Sequence, residues 1–200
     1  MEFKVNREFR MKPIFVDSNS IKTKNTQLPL VDVIVDSPVG KLLLTANSFG
    51  LTHLTVATEI ELTKQDSIVS NDALLDDYNK AAQHIENTKQ QLSEYFDGKR
   101  TVFELTLAPK GTEFQHQVWQ ALVDVNYGES CSYSDIANII NRPKAVRAVG
   151  AANGANPIAI IVPCHRIIGK SGKLTGYAYG LEMKQSLLDL ESSEFRIWLS

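Results

Sequence analysis

The sequence predicts an α/β protein of the α+β kind: an antiparallel sheet with one helix, followed by a mostly helical unit. Three observations carry that prediction. Residues 31–57, VDVIVDSPVGKLLLTANSFGLTHLTVA, are rich in β-branched residues and leucine, and turn residues punctuate them at Pro38–Gly40 and Ser48–Gly50. After Pro109–Gly111 the apolar residues recur at helical spacing. At 200 residues, 43% hydrophobic and 22% charged, the chain can bury a core in one large domain or two small ones.

Residues 1–27 are polar and irregular, and read as a flexible extension. A structural domain is expected over 28–108. Its consecutive antiparallel strands lead to a polar loop over 59–72. A helix over 73–96 follows, marked by Ile85, Leu92 and Phe96 and stopped by Gly98, and then a strand over 101–108. The second domain is expected over 111–200. Thr112 with Gln115 is a capping-box signature for a helix that buries Phe114, Val118 and Leu122, with Trp119 beside them and Gly128 closing it.

A second helix runs from about Ser134 to Ile140, with Ile136, Ile139 and Ile140 inward, until Asn141–Arg142–Pro143 breaks it. A third, from Lys144 to Ala152, turns Val146 and Val149 inward and ends near Gly154. Two short helices joined by a tight break are a helix-turn-helix candidate, although such pairs are more often plain packing. IAIIV, 158–162, reads as a buried strand that delivers the chain to Pro163–Cys164–His165–Arg166. A loop with Gly169, Gly172 and Gly176 precedes a last helix over 181–190, with Leu181, Leu187, Leu188 and Leu190 mostly on one side.

Composition narrows the function. No apolar run is long enough to cross a bilayer, and MEFKVNREFRMKPIF lacks a secretory signal's apolar stretch, so a cytoplasmic or nuclear setting is expected. Two cysteines and four scattered histidines form neither a disulfide framework nor a zinc spacing, so no metal or cofactor is expected. The net charge of −2 is uneven. Residues 141–185 hold seven basic residues (Arg142, Lys144, Arg147, Arg166, Lys170, Lys173, Lys184) against Glu182, so they carry +6 and the remainder −8. That stretch is either a phosphate-binding footprint or an ordinary solvated face.

Cys164–His165 is the candidate chemistry. Cysteine attacks as a thiolate, and a free pKa near about 8.5 leaves little of it ionised at neutral pH. His165 can take the proton directly or through one water, and it needs an acid to fix its tautomer. Glu191, at the end of the last helix, is the candidate. Against this, a buried cysteine after a strand is more often an inert small hydrophobe.

The surrounding residues change the balance. IVPCHRIIGKSGKLTGYAYGLEMKQSLLDLE, FQHQVWQAL, YGESCSYSDIA and RPKAVRAVGAANGANPIAIIVPCHR resemble the O6-alkylguanine-DNA alkyltransferase (methylated-DNA–protein-cysteine methyltransferase) family. The likeness is close over about 111–191 and looser over SPVGKLLLTANSFGLTHL. It implies a ribonuclease-H-like N-terminal support. It also implies a monomer that acts on double-stranded DNA, without a cofactor. The family moves the alkyl group of O6-alkylguanine, and also of O4-alkylthymine, onto its own cysteine, once per molecule, after flipping the nucleotide.

Carried over residue by residue, the likeness makes Cys164 the acceptor, with His165 and Glu191 behind it. Arg147 becomes the finger that fills the space left by the extruded base. Tyr133 turns the nucleotide out and hydrogen-bonds guanine N3. Asn156 ties the recognition helix to the active-site turn. Val162, Ile167, Tyr177, Ala178, Tyr179 and Lys184 line the guanine pocket. Ser134, Ala145, Val146, Ala148, Ala151 and Arg166 join Tyr133 and Arg147 on DNA, in the minor groove. Tyr179 stands where many members have glycine and narrows the pocket, and Ala159 replaces a proline found in some members. Alkyltransferase-like sensors replace the cysteine, whereas this chain keeps it. A helix-turn-helix regulator needs a polar reading helix, and 144–153 is small and apolar. A thiol hydrolase has no use for Arg147 and Tyr133.

Overall fold

The computed structural model describes residues 12–16, 31–62 and 75–192, which divide into two compact units at Lys110/Gly111.

In the first unit, β2 (Val31–Val35), β3 (Leu42–Asn47) and β4 (Gly50–Val56) form the antiparallel meander that the turn residues predict. Leu42, Leu44, Ala46, Leu51 and Leu54 are fully buried. The Thr45/Ala46 register shift is matched by Thr52 Oγ1, which donates to the Thr45 carbonyl at 3.0 Å. The sheet is mixed rather than antiparallel. β1 (Ile14–Phe15) and β4 both lie parallel to β5 (Thr106–Leu107), giving the order β1-β5-β4-β3-β2. Ile14–Phe15 thus belongs to the sheet, inside the stretch expected to be a flexible extension; the rest of that stretch, apart from 12, 13 and 16, lies outside the described residues.

Helix α2 (Leu75–Phe96) packs on β2, β3 and β4 through Ala81, Ile85, Thr88, Leu92 and Tyr95, an i/i+3/i+4 stripe. Gly98, at φ 68°, terminates it. Two expectations differ. Glu59–Leu62 is a helical turn, α1, within the expected loop, because Glu61 reaches back to the Thr58 N–H and hydroxyl at 2.7 Å; 63–72 lies outside the described residues. The strand expected over 101–108 shrinks to β5. The Gln91 amide takes the Glu104 N–H (2.7 Å) and carbonyl (2.9 Å), and Arg100 takes the Val102 carbonyl, so these groups bond side chains instead of a ladder.

In the second unit, α3 (Glu113–Val123) starts at the Thr112–Gln115 capping box and buries Val118, Trp119 and Leu122. It ends at Val123, earlier than expected; Gly128 (φ 76°) sits in the next turn. Trp119 Nε1 donates to the Ala152 carbonyl at 2.9 Å, tying α3 to α5. The short β6 (Cys131–Ser132) pairs in parallel with β7 (Ile167–Ile168). Ser132 and Asp135 form a second capping box, which starts α4 (Tyr133–Ile139). Asn141, at φ 57°, turns the chain into α5 (Val146–Gly154).

Val149, Ala152 and Asn153 are the inward residues of α5, while Val146 is 36% exposed and so faces out, against expectation. Helix α6 (Leu181–Glu191) also departs from its leucine pattern: Met183, Lys184, Leu187 and Glu191 are buried and Leu181 is 47% exposed. The inward face therefore carries two charged groups, which only specific partners can stabilise.

One close approach in the sheet is testable. A Cβ on Gly50 would sit 2.5 Å from the Thr106 carbonyl oxygen, which is backbone and cannot swing away. Gly50→Ala should destabilise the protein by about 1–3 kcal/mol in urea melts, whereas Gly98→Ala meets no neighbour within 4 Å and strains only its turn.

Candidate active site

Residues 157–163 form a buried series of turns rather than the expected strand. Asn156, just beyond the Ala155 C-cap of α5, makes this possible. Its Oδ1 accepts the Ile158 N–H at 3.0 Å, and its Nδ2 faces the Val162 carbonyl (2.8 Å), the Ile158 carbonyl (3.3 Å) and Cys164 Sγ (3.1 Å). A primary amide has two N–H bonds, so these acceptors share them. One side chain thus replaces strand partners for a buried segment, and ends on the sulfur. The segment closes with Ile160 in a left-handed conformation, φ 69°.

Cys164 opens a 3₁₀ turn, Cys164–Arg166. Cys164 is 5% exposed. Burial pushes its thiol above the ordinary range; Asn156, its own backbone, Lys184 and Tyr177 pull the other way without cancelling the effect. The resting group is a thiol. His165, 0% exposed, places Nε2 2.9 Å from Glu191 Oε1, while its Nδ1 is buried with no partner among the described residues. Burial holds the imidazole neutral, against the pull of Glu191.

Glu191 is the counterweight. Burial opposes its ionisation, but His165 and Arg166 outweigh burial and hold the carboxyl well below the usual carboxylate range. Arg166 reaches it with a fork, Nε to Oε2 at 2.8 Å and Nη2 to Oε1 at 2.9 Å, and gives Nη1 to the Val125 carbonyl at 2.6 Å.

Lys184 is fully buried on α6. Its Nζ donates to the carbonyls of Ile167 (2.5 Å) and Thr175 (2.8 Å), so it ties the two ends of the intervening loop. Burial lowers its pKa and the nearby Cys164 opposes that shift. The Tyr177 hydroxyl is buried beside Cys164, and its ring meets Tyr179 edge-on at 5.6 Å. Burial, then Cys164, raise its phenol.

The predicted residues fall into three groups. Cys164, His165, Glu191, Asn156, Tyr177 and Lys184 come together, with Val162 and Ile167 contributing carbonyls that are already bonded. Arg147, Val146, Ala148 and Ala151 lie exposed on α5, with Ala145 half-buried before it; Ala178 is exposed in the loop. Tyr133 and Ser134 are half-buried at the start of α4, and the Tyr133 ring is about one van der Waals contact from Gly150 (3.8 Å to a Cβ built there).

Arg166 departs from its expected place. It is 6% exposed and turned into the protein, so it is not part of a solvent-facing basic surface, and neither is Lys184. The exposed cations of the stretch are Arg142, Lys144, Arg147, Lys170 and Lys173. Sequence reading missed the Val125–Gly128 turn, where Tyr127 Oη donates to the Leu190 carbonyl (3.0 Å) and the Gly128 N–H points at Glu191 Oε2 (3.4 Å). Gly128 was the available signal: a Cβ there would sit 2.8 Å from the Glu191 carbonyl oxygen.

A buried, hydrogen-bonded cysteine next to a His–Glu pair, on a helix-turn-helix unit with small residues on its outward helix, defines a candidate thiol-nucleophile site. Comparison with known proteins makes this specific. The family descriptions "6-O-methylguanine DNA methyltransferase, ribonuclease-like domain" and "6-O-methylguanine DNA methyltransferase, DNA binding domain" match residues 30–109 and 113–193. The methylated-DNA–protein-cysteine methyltransferase of Methanosarcina barkeri is 46% identical over 163 residues, 82% of this chain and 98% of its own. The constitutive enzyme of Bacillus subtilis is 43% identical over 162 residues, covering 80% and 94%. A crystal structure of Mycobacterium tuberculosis OGT in complex with DNA superposes with a TM-score of 0.66 at 44% identity, covering 80% of this chain and 91% of that one. The chain belongs to the 6-O-methylguanine DNA methyltransferase family.

The ion cluster has a pH signature. Glu191→Gln leaves Arg166 a buried charge without its counterion, at a cost of about 3–5 kcal/mol near neutral pH. The Glu191 carboxyl is lower in the folded protein than in the unfolded chain. Its contribution is therefore complete above about pH 5, begins to fall in the ordinary carboxylate range, and goes on falling until the pH reaches the much lower folded pKa. Denaturant melts of both proteins should show the stability gap shrinking on acidification; a gap that grows contradicts this sign.

Proposed function

We propose that this chain repairs DNA by taking an alkyl group from O6 of guanine onto Cys164 Sγ, once per molecule. The observation that carries the reading is Cys164 Sγ itself, 5% exposed, 3.1 Å from Asn156 Nδ2 and next to a His165 bonded to Glu191. Methylated-DNA–protein-cysteine methyltransferases covering nearly their whole length support it. DNA is the partner, as the M. tuberculosis OGT structure in complex with DNA supports, and we assign the double-stranded form to this chain.

The chemistry follows from the geometry. Cys164 gives its proton, through one water, to His165, whose Nδ1 has no protein partner among the described residues. The sulfur attacks the alkyl carbon, the S–C bond forms, and the C–O6 bond breaks with its electron pair going to guanine. Guanine takes a proton at N3, with Tyr133 as the donor, and the proton on His165 returns to Tyr133 through solvent. Asn156 donates to the sulfur and so stabilises the developing thiolate. The thioether is stable to water, so the reaction is stoichiometric.

A thiol this deeply buried cannot reach a base inside a duplex stack, so the nucleotide must be flipped to it. Arg147, exposed on α5 among Val146, Ala148 and Ala151, is the side chain we assign to the vacated stack. Small residues around it allow close approach to the minor groove, and Ser134 and Ala145 extend that surface. Ala178 and Tyr179 border the guanine site with Tyr177, and the protein acts as a monomer.

Incubation with one equivalent of duplex bearing O6-methylguanine should add one methyl to the intact mass, and excess duplex should add no more. Cys164→Ser should gain nothing. Arg147→Ala should slow repair in duplex by at least about tenfold, while reaction with a free O6-alkylguanine base stays near wild type, because only the duplex requires extrusion. Equal slowing on both substrates removes the finger role, and an unchanged mass with tight DNA binding removes the transfer reading.

A further inference from the structure

Arg166 lies two residues beyond the acceptor cysteine and hydrogen-bonds inside the protein through each of its three guanidinium nitrogens. Its guanidinium also lies 5.9 Å over the Tyr127 ring. Glu191, 2% exposed, receives donors from every direction: Nε and Nη2 of Arg166, His165 Nε2, and the more distant Gly128 N–H. These contacts decide which way the His165–Glu191 bond points. If Glu191 is a carboxylate it can only accept, so His165 must carry its proton on Nε2 and present Nδ1 as a lone pair. If Glu191 held a proton it could donate to Nε2, and the imidazole would carry its hydrogen on Nδ1 instead. A histidine in that form has no base to offer a thiol.

We propose that Arg166 is a positioning residue for alkyl transfer: its fork onto Glu191 keeps the carboxylate an acceptor, which places the His165 proton on Nε2 and leaves Nδ1 as the base. The inference rests on Cys164 as the alkyl acceptor. It replaces a DNA-facing role for Arg166 with an internal one, and gives the arginine of Pro163–Cys164–His165–Arg166 a reason to follow the histidine directly. In a 3₁₀ turn, His165 and Arg166 leave the backbone close enough to share one carboxylate, while Cys164 points to Asn156.

A neutral partner at 166 cannot substitute. Without the guanidinium fork, Glu191 loses two charge-assisted donors, and burial pulls the carboxyl toward its acid form. The other charged or titratable groups near His165 are Lys184, from α6, and Cys164, in its own turn. Lys184 is committed to the Ile167 and Thr175 carbonyls and does not bond Glu191.

The test is a long-range ¹H–¹⁵N spectrum of the imidazole, which reads the tautomer without any alkyl transfer. The wild-type protein should show His165 protonated at Nε2 and bare at Nδ1. Arg166→Met should move the proton to Nδ1 at neutral pH. It should also slow methyl transfer from duplex O6-methylguanine by about 100-fold, the scale of a lost general base, and shift the acid limb of the pH–rate profile to higher pH. Arg166→Lys retains the charge. It should keep the wild-type tautomer and transfer within about tenfold of wild type, so it covers the case in which Arg166→Met does not fold.

Affinity for unmodified duplex, and its salt dependence, should be unchanged in Arg166→Lys and in any folded Arg166→Met. A wild-type His165 protonated at Nδ1 overturns the proposal. So does an Arg166→Met that keeps the tautomer and pH profile, or one whose only loss is DNA affinity. A correct wild-type tautomer in a protein that gains no methyl would instead count against the acceptor reading of Cys164.

Discussion

Burying the Glu191 carboxylate at the end of α6 obliges the C-terminal unit to bring donors to it, and much of the unit is arranged to do so. An unpaired anion in that position would protonate instead. The 3₁₀ turn supplies His165 and Arg166 together, Arg166 also holds the Val125 carbonyl, and Tyr127 holds the Leu190 carbonyl. The end of α6, the turn after α3 and the cysteine turn are thereby cross-linked through one anion. The nucleophile lies on the rim of this cluster, and its base belongs to it. The same charge pairing that stabilises the buried carboxylate also holds the imidazole next to the thiol.

Asn156 makes a second constraint of the same kind. It stands at the junction of the outward-facing helix α5 and the turns over 157–163, and a single amide bonds both the backbone of those turns and Cys164 Sγ. The helix that presents Arg147 and the sulfur are therefore separated by one rigid side chain. Lys184 closes the other side by fixing Ile167 and Thr175, so the loop bearing Tyr177 and Tyr179 starts from an anchored point.

Much of this was legible in the residues. Turn punctuation located β2, β3 and β4, Thr112–Gln115 located the start of α3, and the Pro163–Cys164–His165–Arg166 context identified the family. What stayed hidden has a common cause: apolar pattern says that a segment is buried, not how its backbone is satisfied. Residues 158–162 look like a strand because they are uniformly apolar, but the Asn156 amide lets them turn. Residues 101–105 look like a strand, but Gln91 takes the Glu104 peptide groups. The leucines of 181–190 suggest one face, while the buried face includes Lys184 and Glu191, because specific partners outweigh hydropathy. Arg166 counted toward a basic surface for the same reason: charge in a sequence carries no sign of the counterion that draws it inward.

The central claim concerns one sulfur. The chain has a second cysteine, Cys131, buried in β6, whose thiol burial, Asp135 and Glu129 all push up, to about 12, whereas Cys164 Sγ has the Asn156 amide beside it to pull the other way. The most direct measurement gives the protein one equivalent of duplex carrying O6-(trideuteromethyl)guanine, digests it, and locates the label by peptide mass spectrometry. The account predicts that the label is found on the peptide containing Cys164 and on no other. Label on Cys131, or guanine released with no label on the protein, contradicts it.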